Sequence, residues 1–177
     1  MKGMTKFDAV EPLINILSEL VDGPPMVSAY VLNACDAGLL KSLNGLSAKD
    51  ASAIPPNGGA SIAAHVDHLC YGFELLNRWS KGEEPFATAD YAASWDRIAV
   101  SNSEWRERIH SLTREIETWR ESMKNLRDLT ATEQNAVVAS VVHLAYHFGA
   151  IRQINRGLRG PSAREAIETD LDPEQLG

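Results

Sequence analysis

The sequence predicts an all-α protein, a four-helix bundle with up-down-down-up connection and a long crossing between its second and third helices. Three observations predict it. No segment alternates apolar and polar residues over more than a few positions, as a half-buried strand would. Ser101 to Glu104 and Thr130 to Glu133 both have the spacing of a capping box, in which a hydroxyl and a carboxylate satisfy the free N–H groups that open a helix. After the first box, Trp105, Ile109, Leu112, Ile116, Trp119, Met123 and Leu126 recur at steps of four and three, which lays one apolar stripe along a helix.

The elements follow in chain order. Residues 8–21 form an amphipathic helix that Gly23, Pro24 and Pro25 stop, since proline lacks the N–H and clashes with the preceding turn. A shorter helical piece at about 35–45 carries Leu39, Leu40, Leu43 and Leu46, and then Ser47 to Asp50 lead into a loop containing Pro55, Pro56, Asn57, Gly58 and Gly59. Ser61 is placed to cap a helix that runs to about Ser80 and closes at Lys81-Gly82. Residues 82–100, with Pro85, are expected to be a crossing with one short helix. The helix after Ser101 carries the stripe just described. The helix opened by Thr130 continues to about Arg156, where Gly157 and Gly160-Pro161 close it. Between Val137 and Ile154 this last helix is apolar nearly all round, which predicts a central position.

Composition bounds what such a chain can do. Its 177 residues suffice for one core, so residues 1–160 read as a single domain and 161–177 as an acidic, apolar-poor surface tail. With 44% hydrophobic and 23% charged residues the chain falls in the ordinary globular range. The first apolar run, Val10 to Val21, is interrupted by Glu11, Asn15 and Glu19 and has no signal-peptide frame, and no stretch is long enough to span a bilayer, so no membrane contact and a cytoplasmic location are expected. A net charge of −7, with basic residues spread along the chain, argues against a nucleic-acid partner. Arg152, Arg156, Arg159 and Arg164 recur late, as cations near a helix C-terminus do. Cys35 and Cys70 are too few for a disulfide framework and are read as core thiols.

The histidines carry the chemistry. His143 and His147 stand four apart on one helical face, about 6 Å along the axis, a spacing from which two imidazoles can reach one ion. Spacing alone is weak, because two histidines four apart in an arbitrary helix are more often unrelated. Their helix is strongly apolar, however, and a buried imidazole without a partner is costly. Ala136, Ala139, Ser140 and Ala150 leave space beside the rings, although small residues serve equally well to let neighbouring helices pack closely. The helix after Ser61 offers His65 and His68. His68 shares a stripe with Gly72, Leu75 and Trp79 and is the better third ligand, while His65 is either a hydrogen-bond partner that supports a ligand ring or a surface residue. His110 falls one position past a core residue and is expected in solvent. His68 lies about 10 Å from the start of its helix, and the His143/His147 pair roughly 20 Å from the start of the last. Antiparallel placement of these two helices brings the rings closest to one level, and the long crossing permits it.

The segments Ser61-Ile-Ala-Ala-His65-Val-Asp-His68-Leu69 and His143-Leu-Ala-Tyr-His147-Phe-Gly-Ala-Ile151, in this order and separation, resemble the DinB/YfiT-like family. The resemblance extends over residues 35–157 and is specific in these two segments. It implies a four-helix bundle connected up-down-down-up, often paired into homodimers, with His68, His143 and His147 as metal ligands. It also implies chemistry of the thiol-dependent transferase or isomerase kind, with a small thiol as co-substrate.

Three neutral histidines leave a four-coordinate ion one open position, where water or a thiol can become a nucleophile, and zinc, nickel or ferrous iron all accept this ligand set. Asp67 and Glu74 fall on other helix faces than His68, so no carboxylate presents itself as fourth ligand or general base, which weakens a hydrolase reading. Tyr71, Tyr146 and Arg152 are candidates for orienting a substrate, against the commoner fates of core ring and helix-end salt bridge. Trp105 and Trp119 are read as packing. The sequence thus leaves three readings: a metal-dependent transferase or hydrolase, a metal-binding protein without catalysis, and a helical dimerisation module whose histidines bond only within the core.

Overall fold

The computed structural model describes residues 8–25 and 29–162. It contains six α-helices: α1 (Val10–Asp22), α2 (Gly38–Asn44), α3 (Ala48–Ala51), α4 (Ile62–Ser80), α5 (Asn102–Lys124) and α6 (Ala131–Ile154). Three-residue to four-residue 3-10 turns lie at Pro85–Thr88, Ala93–Trp95 and Arg156–Leu158, and there is no β-strand among the described residues. The expected acidic tail lies outside the described residues from position 163 on.

The predicted caps are formed. Ser61 Oγ accepts from the Ala64 N–H at 3.2 Å and so opens α4. At α5 the Ser101 N–H donates to the Glu104 carboxylate at 2.7 Å while Ser101 Oγ accepts from the Glu104 N–H at 3.3 Å, and Thr130 and Glu133 repeat this exchange at α6. Each exchange satisfies N–H groups that would otherwise have no intrahelical partner.

Side-chain contacts fix the helix directions. Asp67 pairs with Arg108, Asn77 bonds Glu115, and Ser80 meets Ser122, so α4 and α5 run parallel. His65 meets His147 and His68 meets His143, so α6 is antiparallel to α4. The 21-residue crossing from Lys81 to Ser101 makes the parallel pair possible. Down-down-up is therefore the order of α4, α5 and α6, as the histidine levels predict.

The core joins Leu17, Leu20 and Val21 of α1, Leu39 and Leu43 of α2, and the inner faces of the three long helices, including Leu69, Phe73, Leu112, Ile116, Trp119, Val141, Leu144 and Phe148. Burial of these large side chains, each contributing about 1.5–3 kcal/mol, dominates the stability. Trp119 is fully enclosed, and its indole N–H donates to Ser140 Oγ at 3.0 Å. Trp105 is also buried and donates to the Leu46 carbonyl at 3.1 Å, so both tryptophans pack as expected.

Several sequence expectations are corrected. The last helix is not central. Val138, Val142 and Tyr146 on α6 are 38%, 60% and 70% exposed, and α4 is the helix that packs against both α5 and α6. The second helical piece begins only at Gly38, because Cys35 adopts a left-handed conformation (φ 63°) and Asp36 accepts the Gly38 N–H at 3.0 Å. Cys35 is consequently exposed rather than a core thiol, whereas Cys70 is half-buried. One turn of helix, α3, forms ahead of the expected loop, since Ser47 Oγ accepts from the Asp50 N–H. The crossing holds two 3-10 turns instead of one, and α6 ends at Ile154. Gly38 itself is required where α1 and α2 cross: its φ is +69°, and a Cβ there would fall 2.3 Å from the Gly23 nitrogen.

Glu19 ties the first connection to α1. Its carboxylate is buried and accepts from the N–H groups of Tyr30, Val31 and Leu32 at 2.9, 2.7 and 2.7 Å. Charge-assisted bonds of this kind are the stronger class, so Glu19→Ala is expected to lower the unfolding free energy by about 2–4 kcal/mol. Glu11→Ala, at an exposed position of the same helix, should change it by less than about 0.5 kcal/mol in the same denaturant titration.

Candidate metal centre

Two helices bring the histidines together. On α4 the three-residue step from His65 to His68 turns both rings toward α6, and on α6 the four-residue step stacks His143 above His147. His143 Nε2 lies 3.1 Å from His68 Nε2 and 2.9 Å from His147 Nε2. Ligand atoms of all three residues fall within 4.8 Å of one another. Three nitrogens bound tetrahedrally at the usual zinc distance would stand about 3.3 Å apart, close to the two shorter separations here.

The ring protons fit the same purpose. Ser94 donates its hydroxyl to the Tyr91 carbonyl at 2.7 Å, so its oxygen is left to accept from His68 Nδ1 at 2.8 Å. That places the His68 proton on Nδ1 and leaves Nε2 a bare acceptor. His147 Nδ1 meets His65 Nδ1 at 2.8 Å. When His147 is the donor of that bond, its Nε2 is bare as well. Two lone pairs then face His143 Nε2, which can carry no more than one proton between them. A cation satisfies all three nitrogens together, and each outer bond orients its ring as such partners do around bound metals. The three-histidine cluster could therefore hold a metal ion.

Burial and mutual proximity keep the rings neutral. Desolvation, followed by the neighbouring His143 and His65, lowers His68 to about 4. Desolvation and then His143, His65 and His68 lower His147 to about 3. Burial also lowers His65 and His143. Neutral imidazole is the form that binds metal.

The crossing covers the cluster. Trp95 stacks on His68 with ring centroids 4.2 Å apart and meets His65 edge-on at 5.2 Å. Tyr71 Oη accepts from the Asp90 N–H at 2.9 Å, and Ser61 donates to the Ile98 carbonyl at 2.7 Å, which fastens both ends of this segment to α4. Ser94 and Trp95 were not singled out by the sequence. Their only signal was an aromatic residue in a long connection, since nothing in the spacing says which helix a crossing lies on.

Two cavities flank this region. An apolar one of about 290 Å³ has His143 in its wall beside Gly72, Leu76, Phe86, Tyr91, Ala136, Ala139 and Ser140, so small residues do leave space next to a ring. A larger, charged one of about 590 Å³ is lined by Asp67, Cys70, Tyr71, Glu74, Arg97 and Arg108, and by none of the three clustered histidines. Asp67 is held there by Arg97 at 2.6 Å and Arg108 at 3.1 Å, away from the cluster. Glu74 is exposed. The Cys70 thiol is pushed up to about 11, by burial first and then by Glu115, and so stays protonated.

The remaining candidates fall elsewhere. Tyr71 faces the charged cavity and anchors the crossing. The Tyr146 ring touches His147 edge-on at 5.1 Å but is largely exposed. Arg152 is engaged with buried Asp36 and lies over the Phe148 ring at 3.9 Å, so it binds within the protein at the far end of α6. His65 is buried against His147, not at the surface, and His110 is exposed.

A family model described as the DinB superfamily matches residues 32–151, a span that includes His65, His68, His143 and His147. No curated protein and no solved structure matches the chain.

Because the folded-state values of His68 and His147 lie below the ordinary imidazole value of 6.5, the unfolded chain takes up protons first as the pH falls. Their contribution to the stability of metal-free protein is thus complete above about pH 6.5 and is lost progressively toward pH 4 to 3. The imidazole proton resonances of these two residues are expected to keep neutral-form shifts down to about pH 5. Titration of either ring between pH 6 and 7 would contradict the assignment.

Proposed function

We propose that this chain, which belongs to the DinB superfamily, is a metal-dependent enzyme of the thiol-dependent transferase or hydrolase type that uses one divalent ion held by His68, His143 and His147. The observation that carries the reading is the convergence of three Nε2 atoms, two of them on rings held from outside by Ser94 and His65, beside a cavity that reaches His143. Zinc, nickel and ferrous iron all suit three imidazoles. When bound, such an ion supplies a Lewis-acid centre at which water or a small thiol gives up its proton near neutral pH.

The protein's own residues do the rest. Ser94 and His65 hold two rings in register, Trp95 shields His68 from water, and the small residues of α6 leave a passage to His143. Asp67 is committed to two arginines and so is not free to act as a general base, which favours the transferase side. A cavity against a ligand ring favours catalysis over a purely bracing ion. No helix among the described residues is long and apolar enough to cross a membrane. We place the protein in the cytoplasm on that and on its composition.

A homodimer is part of the proposal. Val138, Val142 and Tyr146 are exposed on one face of α6, and no charged side chain occurs between Glu133 and Arg152. Uncharged helix faces of this kind are commonly covered by a partner.

In protein prepared without a histidine tag, His143→Ala is expected to lose most of the bound metal and His110→Ala none. Ser94→Ala should keep the metal stoichiometry but weaken affinity about 10-fold to 100-fold in a chelator competition, as loss of an orienting bond does. Equal metal content in the two histidine variants would contradict the ligand assignment. For the dimer, sedimentation should give twice the chain mass for the wild type and the chain mass for Val142→Arg. A wild-type monomer at micromolar concentration would refute that part.

A further inference from the structure

We infer that the small molecule this site accepts is neutral and largely apolar, with a single donor group, and that it occupies the cavity between α4, α6 and the crossing. The inference rests on the metal reading above and adds the class of substrate to it. The cavity of about 290 Å³ is lined by Leu69, Leu75, Leu76, Phe86, Ala136 and Ala139 among others, and no Asp, Glu, Lys or Arg contributes to it. Its few polar groups are mostly spoken for. Ser140 donates to the Val137 carbonyl at 2.7 Å and accepts from the Trp119 indole at 3.0 Å, while Tyr91 stands at the rim, 48% exposed, with its hydroxyl open to solvent water. His143 is the remaining group, and it belongs to the three-ring cluster.

An anionic group beyond the donor that meets the ion would shed water against a wall that offers no lysine or arginine in its place, which disfavours it. The volume lies at the lower end of small-molecule sites, so the ligand is small. Phe86 and Tyr91, 40% and 48% exposed, form the rim that the crossing lays over the cavity. The larger charged cavity offers Arg97 and Arg108, but Asp67 already pairs with both, and a ligand there would face α4 on the side away from His143. Position and chemistry both direct the reacting molecule to the apolar side.

The test holds the donor constant and varies the tail. Cobalt(II)-loaded protein is titrated at one pH with ethanethiol, propanethiol, butanethiol and mercaptosuccinate, following the visible absorption of the ion. Affinity is expected to rise about threefold to fourfold per methylene until the cavity is full. Mercaptosuccinate should bind at least tenfold more weakly than propanethiol. Ala139→Asp, compared with the wild type at equal cobalt loading, should flatten the series. A flat wild-type series, or tighter binding of the dicarboxylate, overturns the inference. In metal-free protein the amide resonances of Gly72 and Ala139 should shift saturably with toluene and not with benzoate, and no saturable shift with toluene would also overturn it. Toluene binding without any cobalt uptake upholds the cavity and overturns the metal reading instead.

Discussion

The constraint on which the site depends is the shortage of protons among three facing imidazole nitrogens. His68 and His147 each bond outward through Nδ1, to Ser94 and His65, and turn Nε2 toward His143 at 3.1 and 2.9 Å; Nε2 of His68 is bare, and that of His147 is bare when His147 donates to His65. With neutral rings one proton serves both contacts to His143, and burial disfavours a further one. A cation among them would satisfy all three nitrogens at once, and the cluster could hold one.

The fold serves this arrangement through direction and cover. Parallel α4 and α5 require the long crossing, and the crossing then lies across the histidine end of α4, where it delivers Ser94 and Trp95. Antiparallel α6 puts His143 and His147 at the level of His68 and His65. Capping boxes at Ser101 and Thr130 fix where α5 and α6 begin, and hence the register of the rings against one another. A one-residue slip of α6 would turn both of its histidines about 100° away.

Much of this was legible in the sequence, for identifiable reasons. Helix limits followed from Ser61, Ser101 and Thr130 because caps are local chemistry, and the pairing of α4 with α6 followed from the histidine levels because helical rise is constant. Other features depended on tertiary placement. The outward face of α6 was hidden because Val138, Val142 and Tyr146 are as apolar as its inward face. Cys35 was mistaken for a core thiol because its left-handed backbone turns it to solvent in a way that composition does not reveal. Ser94 and Trp95 went unnoticed because a crossing carries no periodicity to say what it covers. His65 left two positions open in the sequence, and its burial against His147 removes the surface one.

X-ray absorption fine structure on protein purified without a histidine tag tests the central claim most directly. The account predicts one divalent ion per chain with about three imidazole nitrogens at about 2.0–2.1 Å. A folded protein that retains and takes up no ion, or an ion whose first shell lacks imidazole, would contradict it.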